Sequence, residues 1–251
     1  MPPKLSTKSR LASIILLPIR KLVQTVLLIL PKNTRLYLGC IDKTIRYRSV
    51  LEEIKEEGAI LDVGGGSEGI ALFTDRDVTI LDISADELKK AERSGHKTVL
   101  ADGADMPVKD NQYDYVVSVA SLEHVTPEKR DKYISELKRI AKKAVILYVP
   151  FGKDAEDFDR DLLGFRRFLG IREDWAEEHV KYGLPTLGYL RDHFPDAKIK
   201  KIQNIPLWRR LMKIQALPII NLFLPGIYYH LNRSKEGKGP FYACVVSWDK
   251  R

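Results

Sequence analysis

The chain has 251 residues, of which 44% are hydrophobic, and a formal net charge of +8. This length accommodates one full domain with appendages and excludes a long multidomain array. Cys40 and Cys244 alone exclude a disulfide framework, and the excess of Lys and Arg favours an anionic partner, either nucleic acid or an acidic membrane surface.

The first apolar run spans residues 11–30, within a basic N-terminal extension that we place at residues 1–41. Arg20 and Lys21 lie in the middle of this run, where two cations are costly in a bilayer. We therefore predict an amphipathic helix and not a membrane span. This helix either packs on protein or binds an anionic membrane surface. We predict a cytoplasmic protein, and in the second case one that is bound peripherally to the inner face of the membrane.

A glycine-rich turn follows the first predicted strand, residues 59–63. The sequence Gly64-x-Gly66-x-x-Gly69, with Asp82 further along, matches the dinucleotide fingerprint of a nicotinamide-dependent oxidoreductase. Asp62, however, stands just before the glycines, where such enzymes usually keep the strand apolar. A carboxylate at this position suits a ligand that carries an ammonium group.

Strands and helices alternate after the glycine turn. Four further strands are predicted at residues 78–81, 98–100, 113–119 and 145–149. This alternation is typical of an α/β fold, here a Rossmann-like, mostly parallel seven-stranded sheet with helices on both faces. Ligands bind beyond the carboxyl ends of such strands. Four polar residues lie at or near these ends: Asp62, Asp82, Asp102 and Ser118.

The pattern becomes irregular after Pro150. Residues 151–183 are rich in charged and aromatic side chains, and a long insertion at the ligand end of a strand is typical of a lid. A second apolar tract, residues 205–231, belongs to an apolar insertion at 205–240. A sixth strand is predicted near residues 197–203, and the alternating segment 241–248 predicts an antiparallel last strand beside it. The main domain then spans residues 42–251.

Four motifs occur in order, each at the end of a predicted strand. They are Leu61-Asp62-Val63-Gly64-Gly65-Gly66, Leu81-Asp82-Ile83-Ser84, Ala101-Asp102-Gly103-Ala104-Asp105-Met106-Pro107 and Ser121-Leu122-Glu123-His124-Val125. With them, residues 45–150 resemble the class I S-adenosylmethionine-dependent methyltransferase family, in the subgroup with a Leu-Glu-His-Val signature after the fourth strand. The resemblance implies S-adenosyl-L-methionine as the cofactor.

The resemblance also implies a set of cofactor contacts. Asp62 matches the acid near the methionine ammonium, Asp82 the acid that binds both ribose hydroxyls, and Asp102 the acid that accepts from the adenine amino group. The full predicted set is Asp62, Gly64, Gly65, Gly66, Asp82, Ile83, Asp102, Gly103, Ala104 and Ser118. Glu68 departs from the family pattern, which usually has a third glycine there, and would add a carboxylate near the cofactor.

In methyl transfer the protein mainly positions the acceptor and excludes water, because the cofactor supplies the leaving group. His124 is the candidate catalytic base, because an imidazole pKa lies near neutrality, although a histidine that only shapes the pocket fits the sequence as well. His179 and Tyr182 are candidate substrate-binding residues of the lid. We predict no metal site, because no Cys and His cluster has zinc-site spacing, and the acidic run at 154–161 is interpreted as a solvated face.

The resemblance favours an enzyme that methylates an oxygen on a small molecule, a sugar or a lipid-linked glycan. Three alternatives stay open: a nucleic-acid methyltransferase, suggested by the basic charge, a catalytically silent cofactor-binding module, suggested by Glu68, and the oxidoreductase. Nucleic acid is a less favoured partner, because the fourth strand lacks the Asn/Asp-Pro-Pro-aromatic run used on base nitrogens. The second apolar tract contains Trp208, Tyr228 and Tyr229, which favour a membrane interface.

Overall fold

The computed structural model describes residues 29–171, 174–217 and 220–250. Within them, seven strands form one sheet: β1 (Ile60–Val63), β2 (Val78–Asp82), β3 (Lys97–Leu100), β4 (Tyr113–Val119), β5 (Ala141–Pro150), β6 (Lys198–Asn204) and β7 (Phe241–Asp249). The strand order is β3-β2-β1-β4-β5-β7-β6. The first five strands pair in parallel, and β7 is antiparallel to both neighbours. The predicted fold class is confirmed.

The described helices connect these strands and cover both faces of the sheet. They are α1 (Lys32–Gly39), α2 (Ile41–Leu51), α3 (Ala85–Arg93), α4 (Pro127–Ile140), α5 (Gly152–Phe168), α6 (Asp174–Tyr182), α7 (Leu187–His193), α8 (Ile205–Gln215) and α9 (Leu224–Asn232). Short 3-10 turns occur at Gly69–Phe73, Leu122–His124, Ile220–Leu222 and Arg233–Lys235. The irregular segment after Pro150 is therefore mainly helical.

The sheet separates two apolar cores because side chains alternate along each strand. On β5, Ile146 and Tyr148 enter the core with α2, α3, α5 and α8, whereas Leu147 enters the core with α4 and α7. The central strands β1, β4 and β5 are almost fully buried, as expected for parallel strands covered on both faces.

Local signals explain several helix boundaries. Ser84 follows β2 and caps α3, since its hydroxyl accepts a hydrogen bond from the backbone N–H of Glu87 at 3.4 Å. Pro127 occupies the first turn of α4, where its missing N–H costs nothing. β5 begins at Ala141, before the predicted residue 145, because Ala141 pairs with Tyr113 of β4.

The part of the second apolar tract that forms α8 packs inwards. Trp208 of α8 is 3% exposed and lies in the core, so the expectation that it anchors a membrane interface is wrong. Helix α9 lies against α1, and a Cβ at Gly226 would meet the carbonyl oxygen of Tyr37 at 2.5 Å, which requires glycine at this crossing. Across the described residues no helix has both the length and the apolarity to cross a bilayer. The predicted helix within residues 11–30 lies almost wholly outside the described residues.

Candidate active site

The glycine turn after β1 forms one wall of a cavity at the carboxyl edge of the sheet. Gly64 and Gly66 have φ angles of +79° and +62°, a region that glycine adopts without strain. A Cβ at Gly64 would also lie 2.2 Å from the hydroxyl of Ser121, on the loop after β4. Both glycines are therefore required by backbone conformation, and Gly64 also by the closeness of the neighbouring loop.

The cavity beside Gly64 has a volume of about 390 Å³. Its walls come from the ends of β1 to β4 and the start of α4: Val63, Gly64, Leu81, Asp82, Ile83, Ala101, Asp102, Gly103, Ala120, Ser121, His124, Val125, Thr126, Lys129 and Tyr133. Five predicted cofactor residues are thus brought together, namely Gly64, Asp82, Ile83, Asp102 and Gly103. We call this space the cofactor cavity.

The two acidic residues of this cavity are already held by hydrogen bonds. Asp82 accepts from the backbone N–H groups of Gly66 at 2.9 Å and Ser84 at 2.8 Å. Asp102 accepts from the backbone N–H of Ala104 and from Lys129 Nζ, each at 2.9 Å. The Lys129 hydrogen bond, with the one from Ala104, lowers the pKa of Asp102, so this carboxylate is ionised at neutral pH.

Asp62 lies behind the glycine turn and not among the residues that line the cofactor cavity. Its side chain is fully buried, and Oδ2 accepts from the backbone N–H of Ile70 at 2.7 Å. Oδ1 has no hydrogen-bond partner among the described residues. Burial raises the pKa of Asp62 to about 7. Its part in binding the cofactor stays a prediction.

Ser118 also lies behind the cavity wall. Its hydroxyl is buried and hydrogen-bonds to that of Tyr133 at 2.8 Å, so among the described residues it supports a lining residue without lining the cavity itself. Gly65 and Gly66 border a separate small cavity beside Glu68, while Ala104 contributes the backbone N–H that holds Asp102. These four predicted contacts stay predictions.

A second cavity of about 310 Å³ meets the first at Ala120 and His124, which line both. Its walls are rich in aromatic side chains from the sheet, the lid helices and α8: Tyr148, Phe158, Trp175, Trp208 and Tyr242. At one side Arg46 pairs with Asp42 at 2.8 Å, and Gln215 donates to the same carboxylate. We call this space the acceptor cavity, because it is enclosed by residues that the sequence assigned to the lid and the apolar insertion.

Two histidines and a glutamate form part of the acceptor cavity wall. His124 and His179 lie with ring centroids 4.9 Å apart, and Nε2 of His179 is 3.8 Å from Oε1 of Glu123. Each imidazole Nδ1 meets a carboxylate, Asp159 at 2.8 Å from His179 and Glu178 at 2.6 Å from His124. We call these three residues, Glu123, His124 and His179, the His/Glu cluster.

Burial and neighbouring charges shift the pKa values of His179, Glu123 and Asp159. Burial lowers the pKa of His179, but the Asp159 hydrogen bond and the Glu123 charge together raise it above its ordinary value. Burial raises the pKa of Glu123 and of Asp159. Tyr242 donates its hydroxyl to Asp159 at 3.0 Å, which fixes that carboxylate against the imidazole.

Arg130 of α4 joins Gly183, at the end of the predicted lid segment, to the loop that carries His124. Its guanidinium is buried and donates to the carbonyl oxygens of Gly183 at 2.6 Å and Glu123 at 3.2 Å. Tyr182 is the last residue of α6, and its ring lies 4.9 Å from Lys181 Nζ. Among the described residues, Tyr182 lines neither cavity, so its prediction as a substrate contact is not supported by its position.

Sequence reasoning missed two buried acidic residues, Glu123 in the wall of the acceptor cavity and Asp159, which is hydrogen-bonded to His179 of that wall. The prediction that residues 154–161 form a solvated face is wrong for Asp159, because its side chain is fully buried. Its spacing from Ala155, Phe158 and Leu162 on the apolar side of α5 was the available signal. Glu123 is 1% exposed, and neither of its carboxylate oxygens has a hydrogen-bond partner among the described residues.

The cofactor cavity fits S-adenosylmethionine on three observations. Gly64 lines the cavity with backbone that carries no side chain, and the Asp82 carboxylate forms part of the wall at a strand end. Ile83 is 71% exposed, which offers an apolar surface to a flat ring. These features suit a ligand with a ribose, a base and a charged end.

Residues 61–149 match the family model described as a methyltransferase domain. The chain is 32% identical over 105 residues to an uncharacterized protein of Methanocaldococcus jannaschii, covering 41% of this chain and 50% of that one. It is 28% identical over 137 residues to a tRNA (carboxymethyluridine(34)-5-O)-methyltransferase of Arabidopsis thaliana, covering 54% of this chain and 33% of that one. The matches therefore span half or less of these two relatives.

A solved structure from Thermotoga maritima, described as an SAM-dependent methyltransferase and possible histamine N-methyltransferase, superposes with a TM-score of 0.55. The sequences are 15% identical, and the match covers 82% of this chain and 89% of that one, so it shows the shared fold. Together with the four motifs at the strand ends, the family match and this fold identify residues 61–149 as a class I methyltransferase domain, for which the cofactor is S-adenosylmethionine.

Proposed function

We propose that the protein methylates an oxygen atom of a small molecule, a sugar or a lipid-linked glycan. The observation that carries this proposal is the meeting of two cavities at Ala120 and His124. A cofactor in the first cavity and an acceptor in the second would face each other there. The bound cofactor supplies an electrophilic methyl group and its own leaving group.

The protein's own residues would position the acceptor and exclude water. Aromatic walls enclose the acceptor cavity, and the Arg130 contacts hold the lid against the loop after β4. His124 stands at the boundary, where it could accept the proton of an acceptor hydroxyl or orient it. Glu178 would fix the ring through Nδ1.

The acceptor cavity suits a compact group with a flat or apolar face. Its volume of about 310 Å³ matches one sugar ring or a small aromatic compound. The test is incubation of the purified protein with labelled S-adenosylmethionine and fractionated lipid, sugar and metabolite extracts, followed by mass spectrometry of the labelled product. Transfer to a hydroxyl oxygen of a small or lipid-linked acceptor supports the proposal, and transfer to nitrogen or carbon contradicts it.

Methylation of tRNA is a second candidate. The net charge of +8 and the likeness to an Arabidopsis thaliana enzyme named for that activity favour it. The same labelled assay with total tRNA tests it. Label in tRNA and none in the small-molecule fractions would replace the first proposal by this one.

We also propose peripheral contact with an anionic membrane. Ile227 and Leu231 of α9 are 43% and 74% exposed, and Ile29, just before α1, is 82% exposed. Arg233 and Lys235 follow on the next turn. Exposed apolar side chains beside cations suit the headgroup region of a bilayer.

A further inference from the structure

The His/Glu cluster combines residues from two separate segments. Glu123 and His124 come from the 3-10 turn after β4, and His179 comes from α6. One candidate ligand atom from each residue lies within 4.8 Å of the others. We propose that this cluster binds a divalent first-row transition-metal ion in the wall of the acceptor cavity.

Unpaired buried atoms are the first support. Glu123 is 1% exposed and His179 is 3% exposed, yet neither the Glu123 carboxylate oxygens nor His179 Nε2 has a hydrogen-bond partner among the described residues. The 3.8 Å between Nε2 and Oε1 is too long for a hydrogen bond. Buried polar atoms without partners are costly. An ion between them would satisfy all three atoms at once.

The orientation of the imidazoles is the second support. A metal-binding histidine donates its other ring N–H to a carboxylate or carbonyl group, which fixes its tautomer and presents the remaining lone pair to the metal. Both histidines have such a partner at Nδ1, Asp159 for His179 and Glu178 for His124. Asp159 is in turn held by the hydroxyl of Tyr242.

The charge balance is the third support. Three carboxylates, Glu123, Asp159 and Glu178, face two imidazoles in this region. Three arginines lie nearby: Arg46 is paired with Asp42, Arg130 donates to the carbonyl oxygens of Glu123 and Gly183, and Arg166 lines the same cavity. Neither oxygen of the Glu123 carboxylate accepts a hydrogen bond from these arginines or from any other described residue. A protonated His179 between Asp159 and Glu123 would offset part of this charge, but it would leave the second Glu123 oxygen without a partner. A divalent ion offsets two charges and can use that oxygen.

The ligand set indicates the kind of metal. Two imidazoles and one carboxylate suit Zn²⁺, Fe²⁺ or a similar ion, whereas Mg²⁺ and Ca²⁺ prefer oxygen ligands. Three protein ligands would leave coordination positions open towards the acceptor cavity. A hydroxyl group bound there would have a lowered pKa, so that the ion would replace a free His124 as the group that activates the acceptor. This last role rests on the proposed function, whereas metal binding itself does not.

The test measures metal binding without cofactor or acceptor. Untagged full-length protein is stripped with a chelator and titrated with Zn²⁺ in a competition assay, and with Co²⁺ followed by visible absorption. We expect about one ion per chain and visible bands of a protein-bound Co²⁺. Glu123→Gln and His179→Gln should each weaken Zn²⁺ binding at least about tenfold, and Asp159→Asn about 10- to 100-fold. His96→Gln, on the turn between α3 and β3, is the matched control and should bind as the wild type does.

Circular dichroism shows whether each variant folds. Glu123→Asp keeps the charge but withdraws the carboxylate, and it serves as a second variant if Glu123→Gln does not fold. Binding of S-adenosylhomocysteine by the same preparations separates this inference from the proposed function. The inference is overturned if the stripped wild-type protein binds no Zn²⁺ at micromolar concentration, or if folded Glu123 and His179 variants bind it as tightly as His96→Gln does.

Discussion

The carboxylate of Asp82 accepts a hydrogen bond from the backbone N–H of Gly66 at 2.9 Å. This contact joins the end of β2 to the glycine turn after β1, so one side chain both shapes the turn and forms part of the cofactor cavity. A carboxylate oxygen has two lone pairs, so Asp82 can keep this bond and still accept from a ribose hydroxyl. The acid therefore has a structural role in addition to the predicted binding role.

We expect Asp82→Ala to weaken binding of S-adenosylhomocysteine by about 2–3 kcal/mol, which is about 30- to 150-fold in Kd, because two hydroxyls lose their acceptor. Isothermal titration measures the change. Asp86→Ala, on the exposed first turn of α3, is the control and should leave the Kd unchanged. Unchanged affinity in a folded Asp82→Ala protein would show that the cofactor is bound elsewhere.

Glu68 lies on the exposed side of the glycine turn and borders the small cavity that Gly65 and Gly66 also border. We expect Glu68→Gly to keep or raise the affinity for S-adenosylhomocysteine, because it removes a negative charge near the carboxylate of the ligand. The same titration tests this, with Glu68→Gln as the variant that removes only the charge. A large loss of affinity in both variants would identify Glu68 as a cofactor ligand.

Asp62 predicts a pH dependence of stability. Burial raises its pKa in the folded protein to about 7 from an ordinary 3.8, so the folded state holds a proton that the unfolded state has lost. The free energy of unfolding therefore falls by at most about 4 kcal/mol as pH rises between these two values. It is not recovered at higher pH. Asp62→Asn cannot ionise and avoids this loss.

Thermal unfolding from about pH 5 to pH 8 measures the effect. We expect Asp62→Asn to gain melting temperature over the wild type as pH rises. At pH 8, where Asp62 of the wild type is ionised, we expect the variant to bind S-adenosylhomocysteine more weakly, because the ammonium group loses a charged partner. Asp77→Asn, an exposed acid before β2, is the control. A melting difference that does not change with pH would contradict the buried, proton-holding state of Asp62.

The sequence predicted the strands well and placed Asp82 and Asp102 correctly at one edge of the sheet, because both results depend on local patterns. Asp82 and Asp102 each stand at a strand end, and parallel strands bring such ends together. The acceptor side could not be predicted in this way. His179 reaches Glu123 only because α6 packs on the turn after β4, and Trp208 is buried only because α8 lies on the sheet. Such contacts are set by tertiary packing and leave no spacing signal.

His124 lines both cavities, so its replacement should affect turnover more than cofactor binding. Once an acceptor is identified, we expect His124→Ala to lower kcat by about 10²–10⁴-fold with little change in the Kd of S-adenosylhomocysteine. His96→Ala is the control. Turnover of the wild-type protein with and without a chelator then shows whether His124 acts as a metal ligand or as a free base. If turnover of His124→Ala stays within a few-fold of the wild type, His124 has a structural role.

The last prediction concerns the exposed apolar side chains of α9. Trp208 and Leu211 of α8 point into the core, so the second apolar tract offers lipid only its outer part, chiefly Ile227 and Leu231. We expect full-length protein to float with vesicles of an anionic phospholipid at low salt and less at high salt, since exposed charges are screened within about 10 Å at 0.1 M salt.

Two changes should weaken flotation independently. Deletion of residues 1–28 removes most of the basic apolar run and keeps α1, which packs on α9. Ile227→Ser with Leu231→Ser removes apolar surface from α9 itself. The control is Leu100→Ser, which removes a 59% exposed apolar side chain at the end of β3, at the opposite edge of the sheet. If the full-length protein stays in the soluble fraction at low salt, membrane contact is wrong and a soluble sugar or metabolite becomes the favoured acceptor.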